Sequence, residues 1–299
     1  MEKTTPAQSE IVPRGRPRLG RPRLLIVGCG DIGGRIVARL AARFRIVALT
    51  STPARVPSLR AAGTVPVVGN LDERRSLARL APFGARLIHL APPPGTGGRD
   101  DPRTRSLLAA LRRRPQRLVY VSTTGVYGDR GGARVDETTP IAPANERAWR
   151  RADAERRVRA AGGSVLRAPG IYARDRLPLD RLRAGTPVLA SGDDVFTNHI
   201  HADDLARLCI AALARGGRGR VYNAVDRSQL KMGEYFDLVA DRLGLPRPPR
   251  LPRAQLRAAV SPTMYSFMNE SRRIGGTRIG RELRLRLAWP TVADTLASL

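Results

Sequence analysis

Six consecutive residues, Gly28-Cys29-Gly30-Asp31-Ile32-Gly33, carry the clearest chemical signal in the chain. They follow the apolar run Leu24-Leu25-Ile26-Val27 and open a stretch whose apolar residues recur at helical spacing. In a G-x-G-x-x-G placed between a strand and a helix, the first glycine allows a tight turn. The second lets a pyrophosphate approach the backbone, and the third lets helix and strand pack closely. The helix N-terminus adds free N–H groups and positive potential, so Asp31 and Ile32 are expected beside the same ligand. A nicotinamide dinucleotide is the expected occupant. An NAD site usually places Asp or Glu at the end of the second strand, against the ribose diol. Here that strand ends Ala48-Leu49-Thr50-Ser51-Thr52, with no acid before Asp72. Small hydroxyl residues, Thr50 and Ser51, followed by Arg55 suit a 2′-phosphate, so NADP is expected over NAD, with NAD left open.

Other constellations carry less. His199 and His201 would share a strand face and precede Asp203-Asp204. With His89 the one further histidine, and far away in the chain, no metal site is expected. Cys29 and Cys209 form neither a disulfide framework nor a ligand cluster, which fits a reducing cytoplasm. The chain of 299 residues has 53 Lys+Arg against 26 Asp+Glu, a net charge of +27. Lysine occurs only at Lys3 and Lys231, so 51 of the 53 are arginines, and they are spread along the whole sequence. A basic excess can mark a nucleic-acid partner through counterion release, but an unpatched spread of one residue type argues against it. Trp149 and Trp289 are too isolated to suggest base stacking. No apolar run is long enough to span a bilayer, and the N-terminus has no signal-peptide core, so neither membrane insertion nor secretion is expected.

The elements that must position the glycine loop alternate regularly. Strands are expected at Arg23–Cys29, Arg45–Thr50, Val65–Val68, Arg86–Ala91, Arg117–Ser122, Ser164–Arg167 and Arg220–Val225. Helices are expected at Ile32–Phe44, Asp72–Leu80, Arg103–Arg113, Glu146–Ala161 and Asp203–Arg215. Arg35, Arg39 and Arg43 recur on one face of the first helix, where like charges repel, so that face should be wet. Short strands alternating with helices indicate βαβ units. The expected fold is therefore α/β, a Rossmann-type doubly wound parallel sheet with a smaller C-terminal substrate lobe. Residues 1–21 read as a disordered basic tail and 22–170 as the dinucleotide-binding domain, with 195–226 returning to the sheet. Residues 171–194 and 227–299 read as the substrate lobe.

Several segments resemble the extended short-chain dehydrogenase/reductase superfamily, in its NAD-dependent epimerase/dehydratase branch. Val119-Tyr120-Val121-Ser122-Thr123-Thr124-Gly125-Val126-Tyr127-Gly128 resembles the strand-five motif of that branch, and Glu137-Thr138-Thr139-Pro140 follows as it does there. His89-Leu90-Ala91, with Pro92 next, resembles the fourth-strand motif, and Gly69-Asn70-Leu71 the adenine-contacting segment. Asn198–Ala206 and Val221-Tyr222-Asn223 resemble later landmarks. Gly170-Ile171-Tyr172 resembles the loop at the nicotinamide amide, although Ala173-Arg174 replaces the usual Gly-Pro. The loop spacing is that of the atypical YeeZ-like group. The resemblance implies a nicotinamide cofactor and oxidoreductase or epimerase chemistry on a small-molecule substrate, with a homodimer left open. It implies cofactor contacts from Asn70, Leu71, Leu90, Ala91, Pro92, Ser122, Gly170 and Ile171, and a hydrogen bond from Thr123 to the reacting oxygen.

One departure matters. The superfamily's catalytic pair is Tyr-x-x-x-Lys, and counting back from Glu155 puts Arg147 and Arg151 at those positions. Arg151 can still bond ribose hydroxyls, but an arginine cannot deprotonate, so Arg147 cannot be a general acid. Either Tyr127 donates the proton from the other side, or the substrate is an anion held by Arg147. Each side chain also has a plain alternative, as a packed aromatic and a solvated charge. Loss of the pair leaves a second functional reading open, a non-catalytic NADP-binding sensor.

Overall fold

The computed structural model describes residues 20–299. The expected basic tail thus lies, up to residue 19, outside the described residues. The apolar runs form short strands: β1 (Arg23–Val27), β2 (Arg45–Thr50), β3 (Val65–Val68), β4 (Arg86–His89), β5 (Arg117–Thr123), β6 (Ser164–Ala168) and β7 (Val221–Asn223). They make one sheet in the order β7-β6-β5-β4-β1-β2-β3, with every pair parallel. Every residue of β1 after Arg23 and of β2 after Arg45 is buried, as a sheet covered on both faces requires. Val27 stands opposite Leu49 on one side and His89 on the other, so the ends of β1, β2 and β4 are level. Strand order reverses between β1 and β4, and ligands bind outside the strand ends at such a point.

Five helices matter for the site: α1 (Asp31–Leu40), α2 (Pro102–Ala110), α3 (Glu146–Ala160), α4 (Ala202–Arg215) and α5 (Met232–Leu243). Ile36, Val37 and Leu40 of α1 pack with Leu205, Leu208, Cys209 and Ala212 of α4 on one face of the sheet. Leu107 of α2 and Ala154 and Val158 of α3 pack on the other. A separate cluster gathers later residues, with Tyr172, Leu182 and Val195 against Tyr235, Phe236 and Val239 of α5 and Leu296. No helix among the described residues is long and apolar enough to cross a membrane.

The sequence expectation fails locally in three places. Residues Arg74–Phe83 wind as tight 3₁₀ turns rather than an α-helix. Pro82 lacks the N–H an α-helix needs, and the Ser76 hydroxyl bonds back to the carbonyls of Glu73 and Asn70. A short helix at Val56–Ala61 had no signal, being too brief to show a period. The arginine face of α1 is not simply wet. Arg35 bridges Asp31, Asp175 and Asp203 at 2.8, 2.8 and 3.3 Å, and Arg39 reaches Asp203 at 2.9 Å. Acids from distant segments relieve the repulsion that the helix alone would suffer.

Candidate active site

The glycine loop is built by backbone demands. Gly28 has φ +83°, and a Cβ there would lie 2.5 Å from the Ala91 nitrogen. Only glycine fits that turn. At Gly33 a Cβ would stand 3.1 Å from the Cys29 sulfur, so this buried glycine serves helix–strand packing. Gly30 is different: nothing lies within 4 Å of where its Cβ would be. That open space belongs to a cavity of about 520 Å³ at the ends of β1, β4 and β5. No side chain caps α1, so its first-turn N–H groups stay available to a ligand.

Twelve residues expected at the cofactor or in catalysis line this cavity: Gly28, Gly30, Asp31, Ile32, Arg55, Leu90, Ala91, Pro92, Ser122, Thr123, Arg151 and Ile171. A Cβ-free cradle against a helix N-terminus fits a pyrophosphate, and the cavity continues from it past Leu90, Ala91 and Ser122 to Thr123, as the rest of a dinucleotide would need. Arg55 donates from Nη2 to the Cys29 carbonyl at 2.8 Å, which sets its exposed guanidinium across the loop. Thr50, Ser51, Asn70 and Leu71 close the ends of β2 and β3 outside the cavity lining. The Thr50 hydroxyl is turned onto Thr52, and the Asn70 side chain accepts from the Asp72 N–H. Sequence reasoning missed Val121, Ala168, Pro169, Arg176 and Leu205 on the lining. Arg176 holds Asp31 at 2.9 Å, but nothing distinguishes it among so many arginines.

A second cavity, of about 400 Å³, meets the first at Thr123, Pro169 and Ile171. Thr123 ends β5, and its Oγ1 accepts from the Gly125 N–H at 3.2 Å. Its hydroxyl proton therefore remains free to be donated into the junction. Arg147 and Ala148, in the first turn of α3, form one wall. Gly170, expected at the cofactor, lines this second cavity instead. So does His199, whose ring lies 4.3 Å from that of Tyr235 and edge-on to Tyr172. Burial holds its imidazole down at about 4, so it is neutral at pH 7. His201 turns elsewhere, accepting from the Asp203 N–H at the start of α4.

The pair at the Tyr and Lys positions is engaged differently. Arg151 donates from Nη1 to the Tyr120 hydroxyl at 2.9 Å and the Val121 carbonyl at 3.0 Å. Burial pushes the Tyr120 phenol up to about 12, with the Arg151 charge pulling the other way. Arg147 stacks over Phe267, 4.3 Å from the ring centre.

Tyr127 corrects an expectation. It is 0% exposed, touches neither cavity, and donates to Asn223 Oδ1 at 2.8 Å. Burial also raises its phenol pKa, and a ring sealed away from both cavities is not placed to supply the missing proton. The ring instead packs on the Arg167 guanidinium, 4.7 Å away. Arg167 pairs with Glu155 at 2.7 Å, and Glu155 accepts from the Ser122 hydroxyl at 2.6 Å. This buried cluster fixes β5, β6 and α3 beneath the junction. A larger groove of about 940 Å³ near Glu137, Trp149 and Arg220 contains neither the glycine loop nor Thr123. Its arginines are largely spoken for, as Arg220 is by Glu282 at 2.5 Å.

Residues 28–215 match the NAD(P)H-binding protein family. No curated protein matches the sequence. Among solved structures, a functionally unknown conserved protein from Silicibacter pomeroyi DSS is 30% identical, with a TM-score of 0.78 over 92% of this chain and 96% of that one. The dTDP-glucose 4,6-dehydratase DesIV from Streptomyces venezuelae, solved with NAD and TYD bound, is 24% identical, with a TM-score of 0.74 over 92% of this chain and 95% of that one. An 18% identical putative epimerase from Burkholderia cenocepacia J2315 gives 0.71 over 93% and 99%. At the two lower identities the likeness is one of fold. The match and these folds agree with the superfamily that the sequence motifs resemble.

Proposed function

Because the chain belongs to the NAD(P)H-binding family, we propose that it is an NADP-dependent oxidoreductase or epimerase/dehydratase-like enzyme acting on a polar carbonyl or alcohol. The observation that carries this is the meeting of two cavities at Thr123, one fitted to a dinucleotide and one open beside it. When bound, the nicotinamide supplies or accepts the hydride. The chain's residues do the rest. Gly30 and the start of α1 receive the pyrophosphate, and Arg55 takes the 2′-phosphate. Thr123 donates a hydrogen bond from its free hydroxyl to the reacting oxygen and so stabilises the negative charge that develops there, and in the reducing direction that oxygen takes its proton from water.

The Thr123→Val variant tests this. Its kcat/KM for NADPH-dependent reduction should fall about a hundredfold, with NADP affinity unchanged. A second reading, a non-catalytic NADP sensor, draws on the spent guanidinium of Arg151, held by Tyr120 and Val121. A wild-type chain that binds NADP but reduces nothing in a broad carbonyl and nucleotide-sugar panel would establish the sensor in the enzyme's place.

A further inference from the structure

We infer that the second cavity grips an oxyanion of its substrate, a carboxylate or a phosphate, between Arg147 and Arg181. This deepens the reading above and rests on it, since the substrate must lie beside a bound dinucleotide.

Three arginines and one acid line the cavity, a net of two positive charges with His199 neutral. The acid is already taken. Glu270 is paired with Arg272 at 2.7 Å, and Arg272 also donates to the Gly128 carbonyl at 2.8 Å. Among the described residues the guanidiniums of Arg147 and Arg181 enter no ion pair and no hydrogen bond. Several arginines nearby are matched by acids, Arg35 and Arg176 by Asp31 and Arg167 by Glu155. Glu270 offsets one of the three charges, and the two guanidiniums without an ion-pair partner leave a net positive field in the concavity.

Their placement is suited to a ligand. The cation–π contact with Phe267 holds the Arg147 guanidinium 4.3 Å from the ring centre while its N–H groups remain unbonded, and such a fork can bind an oxyanion in bidentate fashion. Arg147 shares the cavity with Thr123, so a substrate whose reacting carbon faces Thr123 extends toward it. His199 adds a neutral, buried ring to the same wall: it is 4% exposed, and its Nδ1, which has no hydrogen-bond partner, is shielded from the cavity. At about 400 Å³ the cavity is near the small end for ligand sites, which fits a compact polar acid.

The test is calorimetric titration of the NADP-loaded chain with inorganic phosphate, with succinate and with neutral ethylene glycol. Prior loading occupies the glycine loop, so the added anion reports on the second cavity. The expected result is binding of phosphate or succinate but not of the glycol, whichever anion is tighter naming the group. Arg147→Gln and Arg181→Gln should each weaken it about tenfold or more, with Arg147→Lys retaining part of the affinity and NADP uptake unaltered in all three. No anion binding to the loaded chain, or binding that the Arg147→Gln/Arg181→Gln double variant leaves unchanged, overturns the inference while the cofactor reading stands. Failure of the chain to take up NADP has a different signature and removes both.

Discussion

The two cavities that meet at Thr123 are built in opposite ways. The first is made of backbone: a glycine at φ +83°, an open position at Gly30 and an uncapped helix start, all within six residues. The second is made of side chains delivered by α3, the Leu179–Arg183 helix, the His199 strand and the segment around Phe267 and Glu270. A cradle of amides serves any pyrophosphate, so it tolerates little change. A wall of side chains sets which substrate enters, so it can diverge while the fold is kept. Arg147, at the Tyr position, is a change of that second kind, whereas Arg151, at the Lys position, stands on the first cavity.

Substitutions should separate the two regions, beginning with the cluster that supports both. Glu155→Ala would leave Arg167 unpaired in the core and should cost about 3–5 kcal/mol in urea unfolding, with both sites impaired. Replacing Glu155 and Arg167 together by apolar residues of similar volume should cost far less. Gly28→Ala forces a Cβ against Ala91 and should lose about 2–3 kcal/mol along with cofactor uptake. Gly30→Ala, whose Cβ meets nothing, should keep stability within about 1 kcal/mol yet weaken NADP binding at least about tenfold. Equal stability losses for these two alanines would contradict the roles assigned to the glycines.

Acid should act on both regions through buried histidines. His89, bonded to Thr104 at 3.0 Å beneath the cradle, is held down at about 3 by burial and by the Arg151 charge. His199 is held at about 4. Each ring is neutral in the fold and protonates near 6.5 once unfolded, so the unfolded chain binds more protons below that pH. Stability should be full above pH 6.5 and fall as pH drops, by at most about 1.4 kcal/mol per unit for each ring. The loss should run to about pH 4 for His199 and to about 3 for His89. Unfolding midpoints against pH, with His199→Gln flattening only the upper part, check this. The smallest effect is the most specific: Arg55→Gln should weaken NADP about tenfold and leave NAD unaffected.

How much of this was legible in the sequence follows from the same contrast. The strands of the sheet and the start of α1 are visible because buried runs and a glycine motif are local properties. Twelve expected residues share the first cavity because the ends of adjacent parallel strands must converge there. Arg181, His199, Phe267 and Glu270 gave no such warning, since their meeting depends on the later segments folding back over the sheet. Tyr127 misled for a related reason. Four residues after Thr123 it looks close, but the 3₁₀ turn at Thr124–Tyr127 carries its ring down onto Arg167 and Asn223. The arginine count misled in the other direction, because a face read as solvated is bound by acids from far along the chain.

Parallel calorimetric titrations of the intact protein with NADP and with NAD decide whether the glycine loop and Arg55 act together as described. NADP should bind, and about tenfold or more tightly than NAD. No heat from either dinucleotide would contradict a nicotinamide site, and tighter binding of NAD would contradict the part given to Arg55.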